Sequence, residues 1–411
     1  MKVVIINKSD SVGGAAVVAR RLLYALRRAG VDAKMLVMRA SQPHGDEIEE
    51  YGNNLKGRFF FLAERAEIFA RNGFSRKNLF KVSTARTGFD LSNHPDVVNA
   101  DVIYLNWINQ GALSLDCIDK ICSTGKPVVW IMHDMWQLTG ICHHAMECQA
   151  YRNSCGFCPQ LQSGSNHDLS HEIFDIKRSL YSKYRNIHFV AVSHWLASRC
   201  SESALLQNRY VHVVPNAFPI ERFSCKRRNG HPAFPADKIV AVMGAARLDD
   251  PIKGFDILIK ATEALAKRPE AERIHMVLYG NIKDRSLLDR IAVSHSYLGP
   301  INGEEAIARI YQAADIVVST SLYETLGGTL IEGAAAGCVP VTFGNSGQAD
   351  VVEHLRSGYI AQYLNPESVA DGIVWASQLP LSREMLHQSI AERFSADAIA
   401  QRYIALFKSF L

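Results

Sequence analysis

Short apolar runs, each followed by a polar or glycine-rich turn and then by a helical pattern, repeat along most of the chain. The first run covers residues 3–6, and the turn at 9–14 leads into a helical pattern over 15–28. Further runs lie at 33–38, 101–105, 127–132, 187–192, 210–214, 238–244, 274–280 and 315–319. Uninterrupted apolar runs of this length are typical of parallel strands that are buried on both faces. The pattern therefore predicts an α/β protein with parallel sheets.

One region interrupts this rhythm and divides the chain. Residues 221–237 carry a basic cluster and prolines and show no apolar periodicity, as expected of a linker. A chain of 411 residues suits two domains of about 200 residues each. We predict an N-terminal domain over 1–220 with a cysteine-rich insert at 142–158, a C-terminal domain over 221–394, and a last amphipathic helix over 395–411.

The balance of charge and hydropathy narrows the function classes. A formal net charge of +4 is too small and too dispersed to indicate nucleic-acid binding. No apolar run approaches the roughly 20 residues of a membrane-spanning helix, and the run at the N-terminus is too short for a signal peptide. We therefore expect a cytoplasmic protein, with the inner face of the cytoplasmic membrane as a second location to test.

That second location rests on the segment 55–71, which mixes large apolar residues with arginines, among them Arg58, Arg65 and Arg71. One interpretation is a basic amphipathic helix that touches a membrane or a lipid-linked substrate. The alternative is a helix that packs its aromatic side onto the domain.

Polar residues follow several predicted strands, at the sheet edge where α/β proteins bind ligands. Gly13 and Gly14 lie between the first strand and the first helix, where free N–H groups can bind an anion. His133 and Asp134 follow the strand at 127–132, and the polar-aromatic loop that contains Trp107 follows the strand at 101–105. In the second half, two cations that suit a diphosphate stand between strand and helix, namely Arg247 and Lys253.

A second carboxylate-bearing segment follows the strand at 315–319. Glu324 lies in a predicted loop, and Glu332 lies in a short alanine-rich helix that Gly337 ends. On one continuous helix the two carboxylates would be about 12 Å apart along the axis, so a loop position for Glu324 is what lets both face one ligand. The free N–H groups of the helix start, at Gly327, Gly328 and Thr329, point to the same place.

Four of the nine cysteines lie close together in the chain, with the spacing C-x5-C-x6-C-x2-C: Cys142, Cys148, Cys155 and Cys158. Four thiolates in such a span can close a tetrahedral zinc site, which would be structural because no coordination position stays open. His143 and His144 are substitute ligands. Free thiols or two disulfides are the alternatives.

Taken together, the ordered elements Gly13-Gly14, His133-Asp134, Pro215-Asn216, Arg247 to Gly254 and Glu324-x7-Glu332 resemble retaining glycosyltransferases of family 4. The resemblance covers essentially the whole chain. The region from Trp107 to Pro159 looks like exopolysaccharide transferases of the colanic-acid type, which share the cysteine spacing. Two positions depart from the family pattern. After Glu324 the family sequence usually continues toward Phe-Gly, whereas this chain has Thr325-Leu326-Gly327. Asn106 stands before Trp107, where related enzymes often carry His.

The resemblance implies a GT-B fold, with two Rossmann-like domains that face a cleft, and a set of roles. Arg247 and Lys253 would hold the donor diphosphate, Glu332 the ribose, and Glu324 with the amides of 327–329 the transferred sugar. His133 would contact that sugar, Gly13 and Gly14 would lie near the phosphate or acceptor, and Tyr297 and Leu298 would meet the base. The set Glu324, His133, Arg247 and Lys253 would be catalytic.

The implied activity is transfer of a hexose or N-acetylhexosamine from a UDP- or GDP-sugar to a saccharide acceptor, lipid-linked in the assembly of a surface polysaccharide. The sequence lacks an Asp-x-Asp pair, so we expect no catalytic metal and only a structural zinc. The alternatives are another GT-B chemistry, such as a sugar-nucleotide epimerase or a phosphorylase, and a non-catalytic sugar-nucleotide-binding subunit.

Overall fold

The computed structural model describes residues 1–162, 164–226, 234–379 and 381–411. Within these residues the chain separates into two compact units, residues 1–217 with 399–411 and residues 218–398. Part of the predicted linker, 227–233, lies outside the described residues. No helix in the described ranges is long and apolar enough to cross a membrane.

Unit 1 is built on a seven-stranded sheet whose strands all run parallel. The strands of unit 1 in chain order are β1 (Lys2–Ser9), β2 (Asp32–Arg39), β3 (Ile48–Glu50), β4 (Gly88–Phe89), β5 (Val102–Leu105), β6 (Gly111–Leu113), β7 (Val128–Met132), β8 (Ile187–Ala191) and β9 (Val211–Val213). Two of them, β4 and β6, form a separate two-stranded ladder, and the other seven form the sheet. Its helices are α1 (Gly14–Arg28), α2 (Asn54–Arg71), α3 (Pro95–Asn99), α4 (Leu115–Ser123), α5 (Leu169–Lys183) and α6 (His194–Glu202).

The strand order β3-β2-β1-β5-β7-β8-β9 places the ends of β1, β5 and β7 side by side. Chain order reverses direction at β1, where β2 lies on one side and β5 on the other. Such switch points are where open α/β sheets form ligand crevices, at the carboxyl ends of the strands. The continuous apolar runs are buried, as the pattern predicted; Val3, Ile5, Ile103 and Trp130 are at most 2% exposed.

Unit 2 repeats the design with a parallel six-stranded sheet of order β12-β11-β10-β13-β14-β15. Its strands are β10 (Ile239–Arg247), β11 (Ile274–Asn281), β12 (His295–Tyr297), β13 (Ile316–Ser319), β14 (Val339–Phe343) and β15 (Tyr359–Ala361). Its helices are α7 (Phe255–Leu265), α8 (Glu304–Ala313), α9 (Gly328–Ala335), α10 (Pro366–Gln378) and α11 (Arg383–Phe394). The switch point of this sheet lies between β10 and β13.

The division between the units differs by three residues from the sequence-based boundary of 220/221. Phe218 belongs to unit 2 because its backbone N–H donates to the carbonyl of Phe394 and its carbonyl accepts from Ala396. The last helix is α12 (Ala396–Lys408). Most of it lies in the final segment, Ile399–Leu411, which belongs to unit 1.

The contacts of this final segment explain that assignment. The Tyr104 hydroxyl donates to the Tyr403 hydroxyl at 3.2 Å, with the two rings edge to face. Phe407 is fully buried, and the Phe410 ring stacks 3.6 Å from His188 on β8. Aromatic side chains of this size contribute much of the apolar area that holds a helix in place.

Candidate functional site

His133, at the end of β7, belongs to a hydrogen-bonded set that joins three neighbouring strands of unit 1. The amide NH2 of Asn106, which follows β5, donates to the Asn7 side chain on β1 and to the carbonyl of Ala15, each at 3.0 Å. Its other atom, Oδ1, lies 2.8 Å from His133 Nε2. Since both amide protons are used, Oδ1 must accept, and His133 carries its proton on Nε2.

This arrangement leaves His133 as a neutral hydrogen-bond acceptor at Nδ1. Burial lowers the pKa of His133 to about 4, although the neighbouring Asp134 carboxylate acts in the opposite direction. A neutral imidazole with an open Nδ1 lone pair can accept a proton in a hydrogen bond from a hydroxyl group. Asn106 therefore fixes both the orientation and the tautomer of His133.

Asp134, the next residue, is hydrogen-bonded on several sides. Its Oδ2 accepts from His143 Nδ1 at 2.8 Å and from the indole N–H of Trp107 at 3.1 Å. Burial by itself raises the pKa of Asp134, but the adjacent His143 outweighs it and holds that pKa well below its usual range. Asp134 is thus an ionised anchor of the loop.

His143 completes this anchor, and its position corrects one expectation. Its Nε2 lies 3.0 Å from the Ser83 hydroxyl, and its ring stacks on Trp107 with the centroids 5.6 Å apart. Both ring nitrogens are engaged, so His143 is not the substitute zinc ligand that the sequence suggested. The same stacking gives Trp107 a partner within the protein.

The glycine pair of unit 1 forms an open helix start. Gly13 has φ +89° and precedes Gly14, the first residue of α1, and a Cβ at either position would have no atom within 4 Å. Just before them, Asp10 is fully buried and accepts from the backbone and hydroxyl of Ser41 and from His44. Burial alone would raise the pKa of Asp10, but these bonds outweigh it and lower that pKa far below its usual range.

In unit 2 the two predicted cations lie between β10 and α7, where the sequence placed them. Lys253 Nζ lies 2.6 Å from Glu324 Oε1, and both side chains are about a quarter exposed, at 28% and 24%. Arg247, the last residue of β10, has its Nε 3.1 Å from Asp249 Oδ1. The other oxygen of Asp249 accepts from the backbone N–H groups of Lys283 and Asp284, so Asp249 ties Arg247 to the loop after β11.

Gly254 sets the path of the chain after Lys253. It has φ +61°, and a Cβ there would lie 2.1 Å from the carbonyl oxygen of Thr320. The Thr320 hydroxyl in turn donates to the carbonyls of Gly254 and Lys253 at 2.9 and 3.2 Å. The close approach of these two backbones brings the loop after β10 against the loop after β13, which carries Glu324.

The two glutamates occupy the positions that the spacing predicted. Glu324 lies in the loop, where its backbone N–H donates to the Ser346 hydroxyl and its carbonyl accepts from Gly347. The helix α9 begins after Gly327, which has φ +89°, and contains Glu332. Gly337 ends the helix at φ +87° in a Schellman arrangement, since Gly337 and Cys338 donate to Ala334 and Gly333.

Glu332 lies beside two buried tyrosines. The hydroxyls of Tyr279 on β11 and Tyr311 on α8 are 2.9 Å apart. Burial first, and then the neighbouring charges that include Glu332, raise the pKa of Tyr311 well above its usual value. Further along the edge, the Tyr297 hydroxyl donates to the Gly280 carbonyl at 2.7 Å, and the Leu298 N–H donates to Leu278. Both predicted base-contacting residues therefore have backbone-level ties to β11.

The cysteine-rich insert is compact. Cys142, Cys148, Cys155 and Cys158 line one cavity of about 20 Å³, and none of the nine cysteines, all of which lie in the described ranges, forms a disulfide. Among the described residues, three ligating side chains lie within 4.8 Å of one another only at Glu49, His94 and Asp96. There the Lys34 ammonium is 2.5 and 2.6 Å from the two carboxylates, so a cationic side chain already balances their charge.

The structure thus gathers the predicted residues into two sets, each described within its own unit. Unit 1 holds Gly13, Gly14 and His133, and unit 2 holds Arg247, Lys253, Glu324, the amides of 327–329, Glu332, Tyr297 and Leu298. Sequence reasoning missed Asn7, Asp249 and Ser346. Each is a short polar residue at or near a strand end, which is a signal too common to single out.

Comparison with known proteins decides the family. A model described as "Glycosyltransferase Family 4" matches residues 12–222, and one described as "Glycosyl transferases group 1" matches residues 226–393. The chain belongs to glycosyltransferase family 4. This confirms the resemblance drawn from the motifs.

The curated relatives of this family 4 chain match over part of their length. A poly(ribitol-phosphate) alpha-N-acetylglucosaminyltransferase from Staphylococcus aureus is 28% identical over 204 residues, 48% of this chain and 40% of the relative. The putative colanic acid biosynthesis glycosyl transferase WcaC of Escherichia coli is 28% identical over 120 residues, 28% of each chain. The chain thus spans less than half the length of these curated relatives.

Solved structures agree on the fold. Anabaena Alr3699/HepE, crystallised with UDP and glucose, superposes with a TM-score of 0.61 over 100% of both chains at 17% identity. A likeness at this identity shows the fold alone. The family 4 chain has the GT-B fold, with parallel sheets in two Rossmann-like domains, as expected.

Proposed function

We propose that this family 4 protein is a retaining glycosyltransferase that moves a hexose or N-acetylhexosamine from a UDP- or GDP-sugar to a saccharide acceptor. The observation that carries the proposal is the contact between Lys253 and Glu324 at the switch point of the second sheet, 2.6 Å between Nζ and Oε1. It sets a cation and a carboxylate side by side next to the starts of α7 and α9. A diphosphate suits the first group and sugar hydroxyls suit the second.

The proposed chemistry needs charge stabilisation more than a strong base. The bond between the sugar C1 and the β-phosphate oxygen breaks, and its electron pair leaves with the nucleotide diphosphate. Arg247 and Lys253 stabilise that developing charge. The acceptor hydroxyl bonds to C1 on the same face, and its proton passes to the leaving phosphate oxygen.

The remaining residues orient the donor in this proposal. Glu332 accepts hydrogen bonds from the ribose hydroxyls, and Glu324 with the amides of 327–329 holds the transferred sugar. Tyr297 and Leu298 contribute the edge against the base. The neutral His133, with its Nδ1 lone pair open, accepts a hydrogen bond from a hydroxyl of the transferred sugar, and the glycine pair of unit 1 admits phosphate or acceptor.

We also propose that the acceptor is lipid-linked and belongs to the assembly of a surface polysaccharide. The relative named for colanic acid biosynthesis supports this, and so does the exposed face of α2. Leu55, Phe59 and Leu62 are 80%, 65% and 52% exposed and follow one another at helical spacing on one side. The exposed Lys56 and Arg58 supply positive charge for an anionic lipid surface.

The structure shows which residues of α2 can be changed to test membrane binding. Arg65 is buried and pairs with Glu64, so changing it would disturb folding. Arg71 is exposed and pairs with Glu172, so changing it would also break that ion pair. Flotation with vesicles of phosphatidylglycerol and phosphatidylethanolamine should recover the wild type, and Phe59→Asp should reduce the recovery. Val98→Asp, at an exposed apolar position of α3 (52%, against 65% for Phe59), is the control. A wild type that does not float would end the membrane proposal.

The donor proposal is tested by calorimetric titration with a panel of UDP- and GDP-sugars, followed by transfer assays with the donor that binds. Glu332→Ala should raise the donor Kd by about tenfold, and Arg247→Ala should abolish turnover. Lys260→Ala, an exposed residue of α7, should change neither. Full activity in both site variants would overturn the assignment. Binding without transfer would indicate a non-catalytic subunit, and product analysis would detect epimerisation or phosphorolysis.

A further inference from the structure

Two features of unit 1 have no part in the proposed reaction and lie next to each other: the four clustered cysteines and a buried lysine. The cavity that the four cysteines line, about 20 Å³, has room for one water-sized particle. Its other walls include Thr139, Gly140 and Ser170. The four cysteines are separated along the chain between residues 142 and 158, yet all of them line this one cavity.

Two of the thiol sulfurs receive backbone hydrogen bonds. The Gly140 N–H donates to Cys155 Sγ at 3.3 Å, and the Gln160 N–H donates to Cys158. Burial raises the pKa of the Cys155 and Cys158 thiols to about 12 and about 11, and these donors act in the opposite direction because they favour a negative sulfur. They are the type of outer contact that supports metal-bound ligands.

The backbone around the last two cysteines is held in an uncommon conformation. Cys155, Gly156 and Phe157 have φ values of +54°, +112° and +44° in succession. A Cβ on Gly156 would lie 2.3 Å from the Asn166 carbonyl. Positive φ costs non-glycine residues free energy and persists when surrounding contacts enforce it. Packing of the Phe157 side chain does not enforce this backbone conformation, since that side chain is 64% exposed.

Lys177, on α5, is fully buried, and its ammonium donates to three carbonyls. Trp136, Thr139 and Gly140 accept at 2.6, 3.0 and 2.8 Å, and the Trp136 ring centroid is 3.3 Å away. In the described part of the chain no carboxylate lies within 4.0 Å of this nitrogen. A buried charge without a counter-charge is costly. Burial lowers the pKa of Lys177 well below its usual value, and the nearby Cys155, Cys142 and Asp134 act in the opposite direction, so a negative charge beside this nitrogen favours its ammonium form.

We propose that Cys142, Cys148, Cys155 and Cys158 bind one structural zinc ion as thiolates, with the buried Lys177 ammonium as a nearby counter-charge. Binding releases four protons and leaves a site of net charge −2, which the Lys177 ammonium offsets in part. No three of the four sulfurs lie within 4.8 Å of one another among the described residues, so the thiolates move inward when the ion binds. Two disulfides would supply no negative charge beside Lys177.

The zinc site also supports the His133 loop. Cys142 precedes His143, whose Nδ1 holds Asp134 and whose carbonyl accepts from Met135 at 2.8 Å. Lys177 ties the carbonyls of 136–140 to α5 from the other side. The ion therefore fixes both ends of the segment that runs from His133 to Cys142. His133 itself stays free of the metal.

The first test is the metal content of the full-length protein, purified without a histidine tag from zinc-supplemented medium. Elemental analysis should find one zinc per chain. A thiol-blocking reagent should release that zinc as it modifies four cysteines. Cys155→Ser and Cys158→Ser should each lose most of the zinc. Cys225→Ser, a partly exposed cysteine outside the cluster, should keep it. Zinc-free protein with four titratable thiols, or full zinc in Cys155→Ser, would overturn the proposal.

Two further measurements keep the proposal testable if those variants do not fold. Cobalt in place of zinc in the wild type should give the absorption of a tetrahedral tetrathiolate centre; a spectrum with nitrogen or oxygen ligands would contradict the ligand set. Lys177→Met should weaken zinc retention against a chelator by about 10–100-fold. Lys183→Met, on the same helix but exposed and paired with Asp119, should not, and equal retention in both would refute the counter-charge.

Discussion

The carboxyl edges of the two sheets carry the two sets of candidate residues, and they hold those residues in different ways. In unit 1, His133 is held by neutral amides, since Asn106 joins it to Asn7 and Ala15 at distances of 2.8–3.0 Å. In unit 2, Lys253 and Glu324 hold each other through opposite charges at 2.6 Å. The first set is fixed before any ligand arrives. The second consists of groups that a charged ligand can engage.

The difference follows from the charges around each set and from the backbone. His133 is buried enough that its pKa falls to about 4, so a charge at that position is disfavoured. Lys253 and Glu324 keep about a quarter of their side-chain surface exposed, and the tight backbone crossing at Gly254 brings their loops together. A neutral acceptor suits a sugar hydroxyl, whereas a partly exposed ion pair suits a ligand with both a diphosphate and hydroxyls.

Among the tests of this comparison, the largest effect should come from breaking the ion pair between Lys253 and Glu324 in unit 2. Lys253→Met should lower kcat by about 100–1,000-fold, because it removes a cation that stabilises the leaving group. Glu324→Gln keeps the shape of the side chain but not its charge, and it should mainly weaken the binding of the transferred sugar. The measurement is steady-state transfer with the donor that binds. If Lys253→Met were as active as the exposed control Lys260→Met, the charge-based half of the comparison would fail.

Two of the positive-φ glycines offer a second, smaller test on stability. Both Gly13 and Gly254 lie before a helix, and alanine is strained at both. Only at Gly254 would the added methyl meet a backbone atom, the Thr320 carbonyl at 2.1 Å. Gly254→Ala should therefore lower the free energy of unfolding by about 1–3 kcal/mol more than Gly13→Ala. Calorimetric unfolding of the two variants measures this, and equal losses would show that the crossing at Gly254 adapts freely.

The sequence carried much of the fold because its signals were local. Apolar runs marked most strands of both sheets but missed the short edge strands β3, β12 and β15. Gly337 marked the end of α9, where it takes a left-handed conformation. The loop position of Glu324 also followed from spacing alone, since one helix could not have aimed both carboxylates at one ligand. These features depend on a few adjacent residues.

The contacts between distant residues could not be predicted in this way. Asn106 and His133 are 27 positions apart and meet because β5 and β7 are neighbours in the sheet. His143 looked like a metal ligand because it follows Cys142, yet its two nitrogens bind Asp134 and Ser83. Arg65 looked like a surface charge on a basic helix, yet it is buried with Glu64. In each case the deciding partner comes from another element.

The smallest expected effect is a shift in pH dependence, and it tests the neutral half of the comparison. The folded pKa of His133, about 4, lies below its ordinary value of 6.5. As the pH falls from 6.5 to 4 the unfolded chain takes up the proton first, so this residue's contribution to stability declines across that window. Activity that needs a neutral His133 should be lost only near pH 4, provided that circular dichroism shows the protein still folded.

Asn106→Asp sharpens this test, because a carboxylate 2.8 Å from Nε2 would favour the charged imidazole. The acid limb of the activity profile should move upward by about one pH unit or more, while activity at pH 8 should change little. Asn153→Asp, at an exposed position, is the control for an added negative charge. An unchanged acid limb in Asn106→Asp would mean that the protonation of His133 does not govern activity, and that its role is limited to packing.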